Sequence, residues 1–206
     1  MLRGFYFITD ASLSKAGIIS DVKEACRAGV CAVQYRNKYI STKLMIKEAM
    51  KLRKICRREL FVINDRIDVA QAVKADGMHL GQSDMPVSLA RKILGKDKII
   101  GLTIHSMAQA EEAVSCGVDY LGVAPVFTTN TKADAGRPVG LTLITKIRKK
   151  YKIPIVAIGG INLVNAQDVI RAGADSLCAI SAVVGKSNIK AEISRFLKEI
   201  NLGLAS

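Results

Sequence analysis

The sequence predicts a closed (β/α)8 barrel, a TIM barrel formed as a single domain over residues 1–206, and three observations carry that prediction. Short apolar or β-branched runs recur eight times along the chain. Segments with helical spacing separate most of them. A phrase built on a small residue and glycine recurs just before strands, in Arg27-Ala28-Gly29-Val30, Ala75-Asp76-Gly77-Met78, Ser115-Cys116-Gly117-Val118-Asp119 and Arg171-Ala172-Gly173-Ala174-Asp175. Glycine just past a helix takes the left-handed conformation at little cost and turns the chain into the next strand. Strict alternation gives parallel strands joined by helical crossovers, and eight such units close on themselves. An open doubly wound sheet is the alternative use of the same units. No G-x-G-x-x-G opens the first helix, which argues against a dinucleotide site.

In order along the chain, the first strand is the apolar run 5–8, which reaches Asp10 at once, and the first helix is 18–28, closed by Gly29. The second strand is 31–35. In the second helix, 43–57, Met45, Ala49, Leu52 and Cys56 recur on one face while Lys43, Lys47, Lys51 and Lys54 recur on another, an amphipathic pattern with a solvated basic side that Arg58 continues. The third strand is 61–63 and the third helix 69–74, which Asp68 can cap. The fourth strand, 78–80, places His79 between Met78 and Leu80, the pattern of a satisfied barrel residue rather than a general base. Helix 87–94, strand 99–104, helix 107–116 and strand 120–123 follow. A helix over 141–150 ends in Arg148, Lys149 and Lys150, where cations suit the negative pole of the helix dipole. Strand 155–158, helix 165–172, strand 177–180 and helix 189–200 complete the eight units.

With 206 residues, 50% of them hydrophobic, the chain suffices for one well-buried domain and is short for two. Five cysteines with no C-x-x-C pair read as reduced thiols, and no uncharged apolar stretch approaches the roughly 20 residues of a membrane span. The N-terminal apolar run is too short for a signal-peptide core, so the reading is cytoplasmic. Lys and Arg number 31 against 18 Asp and Glu, a net charge of +13 that suits nucleic acid, an acidic membrane or phosphorylated small molecules. The helical lysine stripe reads as a solvated face, and five Tyr, five Phe and no Trp leave little for base stacking. Phosphorylated small-molecule substrates are therefore expected as partners, without nucleic acid or membrane; the oligomeric state stays open.

The candidate site follows from the strand ends, because in this fold the loops after the strands carry function. Strand two ends in Gln34-Tyr35-Arg36-Asn37-Lys38, strand three in Asn64-Asp65-Arg66, strand four in Gly81-Gln82-Ser83-Asp84 and strand five in Thr103-Ile104-His105-Ser106. Asp65 and Asp84 project from the same end of adjacent strands, where they can share a hard cation such as Mg2+. Strand six leads to a hydroxyl-rich loop with Thr129, Thr131 and Lys132, strand seven to Gly159-Gly160, and strand eight to Ile180-Ser181. Small-residue turns of this kind aim backbone N–H groups at a monophosphate.

The phrases Gln34-Tyr35-Arg36-Asn37-Lys38, Asn64-Asp65-Arg66, Asp76-Gly77-Met78-His79-Leu80-Gly81-Gln82-Ser83-Asp84, Thr129-Asn130-Thr131-Lys132 and Ala157-Ile158-Gly159-Gly160-Ile161 resemble, in order, those of the thiamine phosphate synthase family. The resemblance implies a (β/α)8 barrel that joins 4-amino-2-methyl-5-hydroxymethylpyrimidine diphosphate to 4-methyl-5-(2-phosphoethyl)thiazole, releasing pyrophosphate with Mg2+. It further implies Asp65 and Asp84 as metal ligands and Lys132, Thr103 and Arg36 as the catalytic set. Arg36, Lys38, Thr103 and Lys132 then meet the diphosphate, Gln34 and Asn64 the pyrimidine and its phosphate, and Thr129, Thr131, Gly160, Ile180 and Ser181 the thiazole phosphate. Two departures stand out: Thr103 where the family commonly has serine, and Ala124 in the strand-six phrase Gly122-Val123-Ala124-Pro125. A related branch, the thiazole tautomerases, uses a histidine about where this chain has Pro125. That isomerase activity and a non-catalytic, phosphate-binding regulatory barrel are the alternative readings.

Overall fold

The computed structural model describes residues 2–129, 131 and 136–205. In chain order the elements are β1 (Gly4–Ile8), α1 (Ile18–Ala28), β2 (Ala32–Tyr35), α2 (Thr42–Ile55), β3 (Leu60–Asn64), α3 (Ile67–Ala72), β4 (Gly77–Leu80) and α4 (Val87–Leu94). They continue with β5 (Ile99–Ile104), α5 (Met107–Ser115), β6 (Tyr120–Val123), α6 (Gly140–Lys150), β7 (Ile155–Ile158), α7 (Ala166–Arg171), β8 (Ser176–Cys178), α8 (Ile180–Val183) and α9 (Ile189–Leu204). All eight strands are parallel and pair in sequence order, and β8 returns to β1 through Gly4 opposite Ser176 and Phe5 opposite Leu177. The expected (β/α)8 barrel is therefore the observed one.

Alternation along the strands divides the core into two layers. Phe5 and Phe7 of β1 pack outward with Val22, Ala25 and Phe196 of the helices, while Tyr6 and Ile8 pack inward with Ala32, Tyr120, Val156 and Cys178. Helix starts show local signals: Ser41 Oγ accepts from Leu44 N at 3.4 Å and Ser106 Oγ from Gln109 N at 3.2 Å. Gly29, at φ 85, ends α1 in the left-handed conformation the sequence calls for.

At the N-terminal end of the barrel an aspartate stands directly before each of β4, β6 and β8. Asp76 accepts from Phe61 N at 2.8 Å and from Arg53 at 2.7 Å. Asp119 accepts from Ile100 N at 2.7 Å and from Arg91 at 2.5 Å. Asp175 accepts from Ile155 N at 2.8 Å and pairs with Arg148. Each carboxylate thus ties the start of the preceding strand to the helix before that strand.

Two expectations need correction. The last strand stops at Cys178, and Ile180 opens the short helix α8, because the apolar run 177–180 continues into a turn rather than an extended edge. Asp68 lies inside the first turn of α3 and pairs with Arg66 at 2.5 Å, so it complements the helix start as a charge instead of occupying the cap, which is Arg66.

Candidate active site

One cavity of about 290 Å³ opens at the C-terminal end of the barrel, and the loops after β2 to β8 line it. Arg36 and Lys38 come from the turn after β2, Asn64 and Asp65 from the end of β3, and Gly81 to Asp84 from the turn after β4. Thr103 and His105 come from β5 and just beyond it, Thr129 and Thr131 from the strand-six loop, and Gly159, Gly160, Ile180 and Ser181 from the turns after β7 and β8. Apart from the strand-six loop these turns are short, so strand register fixes where their side chains stand.

The basic loop is held from behind. Thr9 Oγ1 accepts from Arg36 N at 2.9 Å and donates to Arg36 O at 3.0 Å, which clamps the backbone that carries the guanidinium. Tyr35 OH and Asn37 Nδ2 both donate to Glu48 Oε2, at 2.6 and 3.3 Å, and so anchor the loop to α2. Thr9 and Glu48 escape sequence reading because these contacts span 27 and 13 residues.

Asp65 turns the chain at φ 59, a left-handed conformation that side chains other than glycine, asparagine and aspartate seldom adopt. Asp84 folds over its own turn, with Oδ2 accepting from Gly81 N at 2.6 Å. A Cβ on Gly81 would sit 3.0 Å from that oxygen, so glycine leaves the carboxylate its place. Asp65 and Asp84 are neighbours. Burial first, and then the Asp84 carboxyl beside it, push the Asp65 pKa up, while Lys38, 3.5 Å away, pulls in the opposite direction. Two adjacent carboxyls form a donor set suited to a hard cation. Among the described residues no group of three or more His, Cys, Asp or Glu could hold a metal.

On the other wall, Thr129 Oγ1 accepts from Thr131 N at 3.2 Å, fixing the loop's first turn. Gly160, at φ 64, packs so closely that a Cβ would meet Phe127 Cβ and Thr128 O, each at 2.6 Å. Glycine there seats the strand-six loop against the β7 turn. Ile180 and Ser181, the first residues of the short helix α8, stand on this wall.

Most residues expected in the site therefore line one cavity. Gln34 does not: it is buried and donates to Tyr6 OH at 3.1 Å, one shell beneath the lining. Lys132 lies outside the described residues. His79 matches its reading as a satisfied barrel residue, bonded to Tyr120 and Thr103, yet it also lines the cavity. His105 Nδ1 lies 2.5 Å from the Ala124 carbonyl, which ties the turn after β5 to the strand-six wall.

Comparison with known proteins decides the family. The family model described as thiamine monophosphate synthase matches residues 5–183. The chain belongs to that family. Its similarity to the thiamine-phosphate synthase of Methanosarcina mazei is 54% identity over 194 residues, covering 94% of this chain and 81% of the relative. With the thiamine-phosphate synthase of Chloroflexus aurantiacus it shares 50% identity over 189 residues, 90% of this chain and 87% of the relative. The solved thiamine phosphate pyrophosphorylase from Pyrococcus furiosus superposes with a TM-score of 0.90 at 40% identity, covering 98% of this chain and 96% of that one. Membership in the thiamine monophosphate synthase family makes the chain an enzyme, and the cavity lies at the end of the barrel where (β/α)8 enzymes carry their chemistry.

Proposed function

We propose that this site condenses 4-amino-2-methyl-5-hydroxymethylpyrimidine diphosphate with 4-methyl-5-(2-phosphoethyl)thiazole to give thiamine phosphate and pyrophosphate. The observation that supports it best is that one cavity brings the cations Arg36 and Lys38 and the carboxylates Asp65 and Asp84 together with Gly160, Ile180 and Ser181. A diphosphate needs concentrated charge. A monophosphate needs only amides and hydroxyls.

In the reaction the bond between the pyrimidine's exocyclic methylene carbon and the diphosphate oxygen breaks, and the electron pair leaves with pyrophosphate. The electron-rich aminopyrimidine carries the resulting positive charge until the thiazole nitrogen donates its lone pair to that carbon. Arg36, Lys38 and Lys132 bind the leaving oxygens, and Thr103 donates a hydrogen bond to the same group. Thr129, Thr131, Gly160, Ile180 and Ser181 hold the thiazole phosphate so that its nitrogen faces the carbon. Rate enhancement then comes from charge stabilisation and positioning, with no protein nucleophile.

Asp65 and Asp84 would hold Mg2+, whose usual site is one or two carboxylates plus substrate phosphate oxygens. When bound, it supplies Lewis-acid neutralisation of the leaving group. No helix among the described residues is long and apolar enough to cross a membrane. The five cysteines are free thiols, which supports a reducing compartment such as the cytoplasm.

The deciding experiment mixes purified protein with both substrates and Mg2+, follows thiamine phosphate after oxidation to its fluorescent thiochrome form, and repeats the assay with EDTA. Product only in the presence of the metal is expected. Folded protein that makes no product would overturn the reading.

A further inference from the structure

A line of polar groups crosses the barrel interior beneath the cavity. Gln34 Nε2 donates to Tyr6 OH at 3.1 Å, the Tyr6 and Tyr120 hydroxyls are 2.8 Å apart, Tyr120 OH lies 2.8 Å from His79 Nδ1, and His79 Nε2 lies 2.7 Å from Thr103 Oγ1. Gln34, Tyr6, Tyr120 and His79 are buried, and the line reaches the cavity at its His79–Thr103 end. Two glycines make room for it. A Cβ on Gly101 would fall 2.0 Å from Tyr120 Cζ, and one on Gly122 would fall 2.9 Å from His79 Cε1. Barrel interiors are ordinarily filled by branched apolar side chains, so a polar column with two glycines opened around it is a built feature.

The chemistry of the groups sets the direction of its protons. The Gln34 amide nitrogen can only donate, so Tyr6 oxygen accepts. The Tyr6 proton then needs an acceptor, and Tyr120 oxygen supplies it; Tyr120 in turn donates to His79 Nδ1. A neutral imidazole that accepts at Nδ1 carries its proton at Nε2, which donates to Thr103 Oγ1. The reverse order would aim two donors at Tyr6 and leave its own proton buried without an acceptor. Burial pushes the pKa of both phenols up, so both keep their protons.

We infer that His79 is a positioning residue: the Gln34–Tyr6–Tyr120 chain locks it as the Nε2–H tautomer, and it holds Thr103 with the hydroxyl proton directed into the cavity at the departing pyrophosphate. The target of that proton rests on the condensation proposed above. A donor oriented before the reaction needs no reorganisation as charge develops on the leaving oxygen. A threonine hydroxyl without such an acceptor-side partner would rotate freely.

The test has two arms. The chain has two histidines, His79 and His105, so 15N NMR of histidine-labelled protein gives two ring systems that a His105→Gln variant assigns. His79 is expected as the Nε2–H tautomer without any substrate present, and an Nδ1–H His79 overturns the proposal. In the kinetic arm, Tyr120→Phe is expected to lower kcat about three- to ten-fold, the usual effect of one buried hydrogen bond, with the KM for the thiazole phosphate unchanged. In a Thr103→Val background the same substitution is expected to change kcat by less than about two-fold, because the route through which it acts is gone. Equal fold losses in both backgrounds, or none in either, overturn it as well. If Tyr120→Phe does not fold, Tyr6→Phe removes the donor to Tyr120 and carries the same expectation. A wild-type protein that shows the expected tautomer but makes no thiamine phosphate would remove the condensation, and with it the pyrophosphate as target, while leaving the locked tautomer in place.

Discussion

At the N-terminal end of the barrel Asp76, Asp119 and Asp175 each meet an arginine and a backbone N–H, whereas at the C-terminal end Asp65 and Asp84 meet each other. The lower three have partners supplied by the scaffold, and their work is to fix where strands begin. The upper two are half-buried side by side, with the exposed Lys38 as the one cation within 4 Å among the described residues, and burial beside Asp84 raises the cost of ionising Asp65 unless something charged arrives. The same side chain at the two ends of one barrel thus reports two different roles, and the surrounding charges tell them apart.

The largest expected effect comes from removing one upper carboxylate. Asp65→Asn and Asp84→Asn should each lower kcat by about 10² to 10³, the scale of losing a preorganised charge-stabilising group. Both should weaken the response to added Mg2+ and leave the melting temperature level or higher, because a like-charge contact is relieved. Asparagine also tolerates the left-handed backbone at Asp65. An unchanged Mg2+ titration, or a fall in melting temperature with normal turnover, would put these residues in the class of the lower three. Lys132→Ala should cost a comparable or somewhat smaller factor, again about 10² in kcat. Turnover within about three-fold of wild type would mean that this lysine is solvated during the reaction.

A smaller effect tests the opposite wall. Gly160→Val places a branched side chain where a Cβ already meets Phe127 Cβ and Thr128 O, so the strand-six loop bearing Thr129 and Thr131 must shift. The expected result is a rise on the order of ten-fold in the KM for the thiazole phosphate, a smaller change for the pyrimidine diphosphate, and a lower melting temperature from the φ 64 strain. Equal rises for both substrates would indicate general distortion of the mouth.

How much of this was legible depends on the length scale of each signal. Buried parallel strands read as continuous apolar runs, and glycine marks helix ends, so the barrel could be read directly. The end of β8 could not, because Ala179 and Ile180 extend the apolar run while the backbone has already turned into α8. Asp65, Asp84, Arg36 and the Gly159-Gly160 turn stood out as polar or glycine residues directly after strands. Tyr6 and Tyr120 did not, since each sits inside an apolar strand and shows its polarity only when the closed barrel brings them together across 114 residues. The lower aspartates were visible only as parts of turn phrases. Their arginines lie on helices 23 to 28 residues away, a spacing that local patterns do not encode.

The smallest effect on activity, and the sharpest control for the comparison, is Asp119→Ala. It leaves the buried Ile100 N–H without its side-chain acceptor and Arg91 without its carboxylate. The side chains of that ion pair are 22% and 43% exposed, so solvent screening discounts the charge contribution and the lost N–H bond dominates. A cost of about 1–2 kcal/mol follows from an unsatisfied buried donor, which for a domain of this size lowers the melting temperature by roughly 2–8 °C. Turnover should stay within about two-fold of wild type, because the clamp lies at the end of the barrel away from the cavity and acts on strand β5 as a whole. Thermal denaturation and the thiochrome assay, run on the same preparation, check both halves. A large loss of kcat with the melting temperature unmoved would mean that the register of β5, and with it Thr103, is transmitted to the chemistry; the two ends of the barrel would then be one functional unit instead of a scaffold and a site.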